Sequence, residues 1–178
     1  PLGTVTEEEM TAAFARQVKG FIAGGVDGIL IETMTDLGEV NCALRAAKEN
    51  SDLPVICSMT FDKGVKEYAS MMGVKPADAA RVLADGGADA VGSNCGNGID
   101  NIIEIAELMR PATDLPLWFK PNAGMPELVN GVTVYGDTPE RMAGRARDLI
   151  NAGANVIGGC CGTTPDHIRL FREVIDSM

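Results

Sequence analysis

The sequence predicts an α/β fold of alternating strands and helices, and within that class part of a (β/α)8 TIM-type barrel with five parallel strands. Three observations point there. One segment recurs three times, as Ala23-Gly-Gly-Val-Asp-Gly-Ile-Leu-Ile-Glu32, Asp85-Gly-Gly-Ala-Asp-Ala-Val-Gly-Ser-Asn94 and Asn151-Ala-Gly-Ala-Asn-Val-Ile-Gly-Gly-Cys160. Aligned on Gly25, Gly87 and Gly153, the copies lie 62 and 66 residues apart, about twice the ~30 residues of one strand-plus-helix unit. Between them, Pro54–Thr60 and Pro116–Asn122 each follow a helical stretch and read as strands of their own.

Taken in order, the strands fall near 28–32, 54–60, 88–94, 116–122 and 156–159. Their apolar runs suit a parallel sheet with both faces covered. Helices fall near 7–23, 37–50, 76–86, 101–111, 139–152 and 165–177. Thr6 with Glu9 forms a capping box at the first, and Asp36 with Glu39 resembles one at the second. Thr138-Pro-Glu140 and Thr164-Pro-Asp166 place a capping hydroxyl, a first-turn proline and an acid at the last two. An open doubly wound sheet alternates in the same way. The likeness of alternate units favours the barrel, where alternate strands fill the same interior layers. Five strands in 178 residues fall short of the eight strands and about 250 residues of a full barrel.

Composition narrows the partners. The chain is 46% apolar and 22% charged, which suits a folded globular domain. Fifteen basic against twenty-five acidic residues give a net charge of −10, which repels phosphate backbones and excludes nucleic acid as the expected partner. No apolar stretch reaches the length of a membrane span, and no export signal stands at the start, so the expected setting is the reducing cytoplasm. Five cysteines, an odd number, do not read as a disulfide framework there.

In such folds, chemistry sits at the C-terminal ends of strands. The aligned repeats put Glu32 and Thr33, Asn94 and Cys95, and Cys160 and Cys161 at such ends. Cys95 and Cys161 then stand two strands apart, with backbones about 10 Å apart, close enough for their sulfurs to share a metal. Gly158, Gly159 and Gly162 would free the adjacent pair from strand geometry, so that both thiolates turn to one centre. From spacing alone, two buried small hydrophobes, a vicinal disulfide or a glycine-rich anion loop before the last helix remain alternatives, the last admitting a phosphate-binding barrel enzyme. Cys42 and Cys57 read as core residues, and His167 as a residue serving the start of the last helix. Three thiolates without a fourth protein ligand leave an open site, and such an electron-rich centre suits thiol alkylation.

These residues resemble the homocysteine S-methyltransferase family. The resemblance rests on Ile157-Gly-Gly-Cys-Cys-Gly-Thr-Thr-Pro-Asp-His-Ile168 with Gly92-Ser-Asn-Cys-Gly96, supported by Leu30–Leu37, Cys57–Asp62 and Lys120–Pro126. It spans essentially the whole chain, and within the family it is most similar to the homocysteine-binding module of cobalamin-dependent methionine synthase and its short free-standing relatives. It implies Zn2+ held by Cys95, Cys160 and Cys161, a small thiol substrate (homocysteine), and a methyltransferase reaction in which the zinc-bound sulfur attacks a donor methyl group. The donor would be methylcobalamin on a corrinoid partner protein, or a small molecule. Glu32 corresponds to the acid that receives the substrate amino group. Asn94 and Asn122 either shape the substrate pocket or tie down loops.

The family's opening strand, with its Asp-Gly motif, has no match here, so the five strands correspond to strands 4–8 of the barrel. Pro1-Leu-Gly3 resembles the family's sequence before the helix that leads into strand 4. A five-strand piece exposes two edges and a cut core. The expectation is therefore a cover: an oligomer of this chain, a complementing barrel fragment, or a rearrangement. The alternative function is a catalytically silent partial barrel that serves as a subunit or scaffold.

Overall fold

In a computed structural model describing residues 3–65 and 67–178, strands and helices alternate as expected. The order is α1 (Glu7–Ala23), β1 (Ile29–Met34), α2 (Leu37–Asn50), β2 (Val55–Met59), β3 (Asp62–Lys63), β4 (Tyr68–Ala69), α3 (Pro76–Asp85), β5 (Ala90–Cys95), α4 (Ile99–Met109), β6 (Leu117–Pro121), β7 (Pro126–Val129), β8 (Val132–Tyr135), α5 (Pro139–Asn151), β9 (Val156–Ile157) and α6 (Pro165–Asp176). Pro1 and Leu2, on which the likeness of the first three residues partly rests, lie outside the described residues.

The helix starts follow the predicted chemistry. The Thr6 hydroxyl accepts from the Glu9 amide, and the Glu9 carboxylate accepts from the Thr6 amide. Asp36 caps α2 through the Glu39 amide, and Thr138 caps α5. At α6 the third helical residue is His167, whose Nδ1 accepts the Thr164 amide at 3.0 Å while Nε2 meets the Asp137 carbonyl at 3.1 Å. Nδ1 is thus the acceptor and Nε2 the protonated donor. His167 is buried and serves the helix start.

Five strands form one parallel sheet in the order β1-β2-β5-β6-β9. The order is sequential, without the reversal that defines a doubly wound sheet. Adjacent strand residues point to opposite faces. One face, carrying Ile29, Ile31, Val55, Cys57, Met59, Val91, Leu117 and Phe119, is buried beneath the helices. Burial pushes the Cys57 thiol up to about 12, and Cys42 is likewise buried, so both behave as core residues. On the opposite face Ser58 and Asn94 are buried, but the large apolar residues Leu30, Ile56, Trp118 and Val156 are only half-buried. That face is less covered than the apolar strand pattern suggests.

Two antiparallel hairpins, β3–β4 and β7–β8, follow β2 and β6 and were not expected from the sequence. The second turns at Asn130-Gly131, both with positive φ (51° and 79°), as two-residue hairpin loops require. Among the described residues, no helix is long and apolar enough to cross a membrane.

Candidate metal centre

Cys95 closes β5 in the left-handed region, with φ 66°. That conformation is rare outside glycine, and here it belongs to the residue that presents its sulfur beyond the strand end. Cys160 and Cys161 follow β9 on a segment that continues along β6. The Cys160 amide donates to the Pro121 carbonyl at 2.9 Å, and the Cys161 carbonyl accepts from the Ala123 amide at 2.9 Å. The backbone then turns sharply at Gly162, with φ 80°. A Cβ there would lie 2.2 Å from the Tyr135 ring, so glycine is required both for the turn and for the close packing of Tyr135.

The three sulfurs converge. Cys95 Sγ lies 3.7 Å from Cys160 Sγ and 3.9 Å from Cys161 Sγ, and the Cys160 and Cys161 sulfurs are 4.0 Å apart. A disulfide needs about 2.05 Å, and all five cysteines are free thiols. Cys160 is half-buried and Cys161 exposed, unlike packed core residues. Tetrahedral zinc bonded at ~2.3 Å places its sulfur ligands about 3.8 Å apart, so the donor set fits that ion in both type and spacing. Without a cation, such a cluster resists full ionisation. Burial and the neighbouring sulfurs push the Cys95 thiol up to about 12. Burial also works to raise Cys160, but the Cys95 thiol and the Asn94 amide outweigh it and hold this thiol below its ordinary value.

Both asparagines are bound into the frame of the site. Asn94 is fully buried. Its Oδ1 accepts from the Thr33 amide (2.9 Å) and the Ser58 hydroxyl (2.7 Å), and its Nδ2 donates to the Thr33 hydroxyl (2.8 Å) and faces Cys160 Sγ at 3.8 Å. Thr33 itself has φ 63°, a strained setting for a β-branched residue, and the Asn94 amide holds it there. Asn122 Nδ2 donates to the Gly96 carbonyl (2.9 Å), while its Oδ1 accepts from the Cys161 amide (3.0 Å). One side chain thereby joins the loop after Cys95 to the paired cysteines.

The family model described as homocysteine S-methyltransferase matches residues 1–175. The chain belongs to the homocysteine S-methyltransferase family. Methionine synthase of Mycobacterium leprae (strain TN) is 28% identical over 174 residues, covering 94% of this chain but only 14% of that protein. The apo form of the homocysteine methyltransferase MmuM from Escherichia coli superposes with a TM-score of 0.77 at 22% identity, covering 98% of this chain and 60% of that one. Its metallated form gives the same TM-score at 22% identity, with 97% and 53% covered. At that identity the likeness establishes a shared fold.

In this family member Glu32 stands apart from the sulfurs, on β1. Its carboxylate accepts from the Lys120 ammonium of β6 at 2.7 Å, across the half-buried face. Thr33, Ser58, Lys120 and Tyr135 belong to the site's surroundings without having been assigned roles from the sequence. A polar Ser58 and a charged Lys120 within otherwise apolar strands were the available signals. Tyr135 had none, because a hairpin delivers it.

Proposed function

We propose that residues 1–178 form one domain acting as a zinc-dependent thiol methyltransferase, with Cys95, Cys160 and Cys161 as metal ligands and homocysteine as acceptor. The carrying observation is the triangle of sulfurs with 3.7–4.0 Å sides, drawn from two segments of chain. Zinc held by three thiolates supplies a soft centre that keeps a bound thiol deprotonated and nucleophilic at neutral pH. Asn94 steadies Cys160, and Asn122 fixes the Cys161 backbone against the Cys95 loop. Glu32 receives the substrate amino group. In the transfer, the deprotonated acceptor sulfur attacks the methyl carbon, and the donor departs with its bonding electron pair. The donor is methylcobalamin on a corrinoid protein or a small methylated molecule.

We further infer that the sheet is the C-terminal five-eighths of a (β/α)8 barrel, its strands corresponding to strands 4–8. The sequential strand order and the half-buried face support this, since that face would become the barrel interior. Metal analysis of the purified chain tests the functional reading. About one zinc per chain is expected, lost in each of C95S, C160S and C161S, together with methylation of homocysteine from an offered donor. A stoichiometry near one that survives C95S overturns it. The half-buried apolar residues of that face, with the buried Trp118 indole N–H lacking a partner among the described residues, favour a second reading as a silent subunit that oligomerises or pairs with a complementing fragment. A zinc-loaded complex that alkylates no thiol with any donor supports that reading instead.

A further inference from the structure

We infer that Lys120 is a specificity-determining residue that, together with Glu32, forms a two-pole receptor for the zwitterionic head of an α-amino-acid thiol. Glu32 takes the ammonium and Lys120 the carboxylate. This rests on the thiol-transfer reading above and names the group that selects the acceptor.

The argument starts from strand register. Lys120 pairs with Asn94, so by alternation both project from the same face of the sheet. That face also carries Glu32. Asn94 reaches Cys160 Sγ at 3.8 Å, which places Lys120 at the level of the sulfur cluster's support. The lysine stem lies along Gly158, where an added Cβ would come within 3.1 Å of Lys120 Cγ. Gly158 is two residues before Cys160, so the stem passes beside the segment bearing the paired cysteines. From there the ammonium reaches Glu32 at 2.7 Å, although β2 and β5 lie between β6 and β1 in the sheet.

Charge decides the role. A lone carboxylate would select any thiol bearing an amine. Here the acid already has a cation against it, with side-chain exposures of 21% for Lys120 and 39% for Glu32, so both poles remain reachable. An α-amino acid carries its ammonium and carboxylate on a single carbon. It can therefore add its own pair beside the protein's, each charge meeting its opposite, without separating Lys120 from Glu32. A thiol amine without the carboxylate leaves the Lys120 pole unanswered, and a thiol acid without the amine leaves Glu32 unanswered. Charge-assisted hydrogen bonds of this kind are worth about tenfold or more in affinity each.

Direct binding to the full chain loaded with Co2+ tests this, with the cobalt–thiolate absorption as readout and L-homocysteine, 3-mercaptopropylamine and 4-mercaptobutanoate as probes. The unaltered protein is expected to bind homocysteine about tenfold or more tightly than either truncated thiol. Lys120→Met, which keeps the stem on Gly158, is expected to take up the same cobalt. It should lose the preference over 3-mercaptopropylamine while keeping that over 4-mercaptobutanoate. Lys120→Arg should retain both preferences. Lys120→Gln supplies the same comparison if the methionine variant fails to load. Homocysteine binding with both preferences intact in the methionine or glutamine variant overturns this inference and leaves the proposed function standing. Failure of every thiol to perturb the cobalt spectrum of the unaltered protein overturns the proposed function, and this inference with it.

Discussion

At the scale of single residues, Asn94 does the most. Its amide is shared among Thr33, Ser58 and Cys160, so truncation leaves the Thr33 N–H and the buried Ser58 hydroxyl unpaired. Asn94→Ala is expected to lower stability by about 1–3 kcal/mol and zinc affinity by about 10–100-fold. Urea unfolding and chelator competition measure the two effects. The cysteine trio was legible in the sequence because the internal repeats put Cys95 and Cys161 at equivalent strand ends. The work of Asn94 was not, because its partners lie 61 and 36 positions away and meet it only once the sheet exists. Asn122 is similar: its type and place were readable, but its bridge from the Gly96 carbonyl to the Cys161 amide was not.

At the scale of elements, two glycines give opposite expectations. Gly92 lies inside β5, where a Cβ would come within 1.7 Å of the Trp118 carbonyl oxygen on β6. That contact is backbone, so it cannot yield without shifting the pairing that sets Cys95 opposite Pro121. Gly92→Ala is expected to destabilise by at least about 2 kcal/mol. Gly144, within α5, has nothing within 4 Å of an added Cβ, and Gly144→Ala should stabilise by about 0.5–1 kcal/mol. Thermal unfolding of the two variants beside the unaltered chain checks both signs. Helix bounds were readable because caps are local chemistry: Thr6, Asp36 and Thr138 act within three residues of themselves. The β7–β8 hairpin carried a readable signal in Asn130-Gly131, whereas β3 and β4, with two residues each, are too short to show a period.

At the scale of the whole molecule, acidity bears on the seams between elements. Asp89 accepts from Lys48 of α2 (2.7 Å) and from the Val55 amide of β2 (2.7 Å), and the Lys48 hydrogen bond holds its carboxyl below the usual range. A carboxylate whose folded value is lowered stabilises the fold fully above its unfolded value of about 4, and that contribution is lost as pH falls through the lowered folded value. Urea midpoints should therefore drop from about pH 6 to about pH 3, less steeply in Asp89→Asn. Alternation of strand and helix was legible from the repeats. The likeness of alternate units also favoured the barrel over a doubly wound sheet, in keeping with the sequential order, but the register of each pair was not legible, because it depends on contacts across 30 or so residues of intervening chain. The left-handed turn at Cys95 carries a consequence of its own. Glycine would sit there with less torsional discomfort, and the fold would tighten for having it, yet the proposed coordination sphere would then be one donor short. Robustness and chemistry pull against each other at that residue, so selection purely for heat resistance is expected to discard this sulfur first.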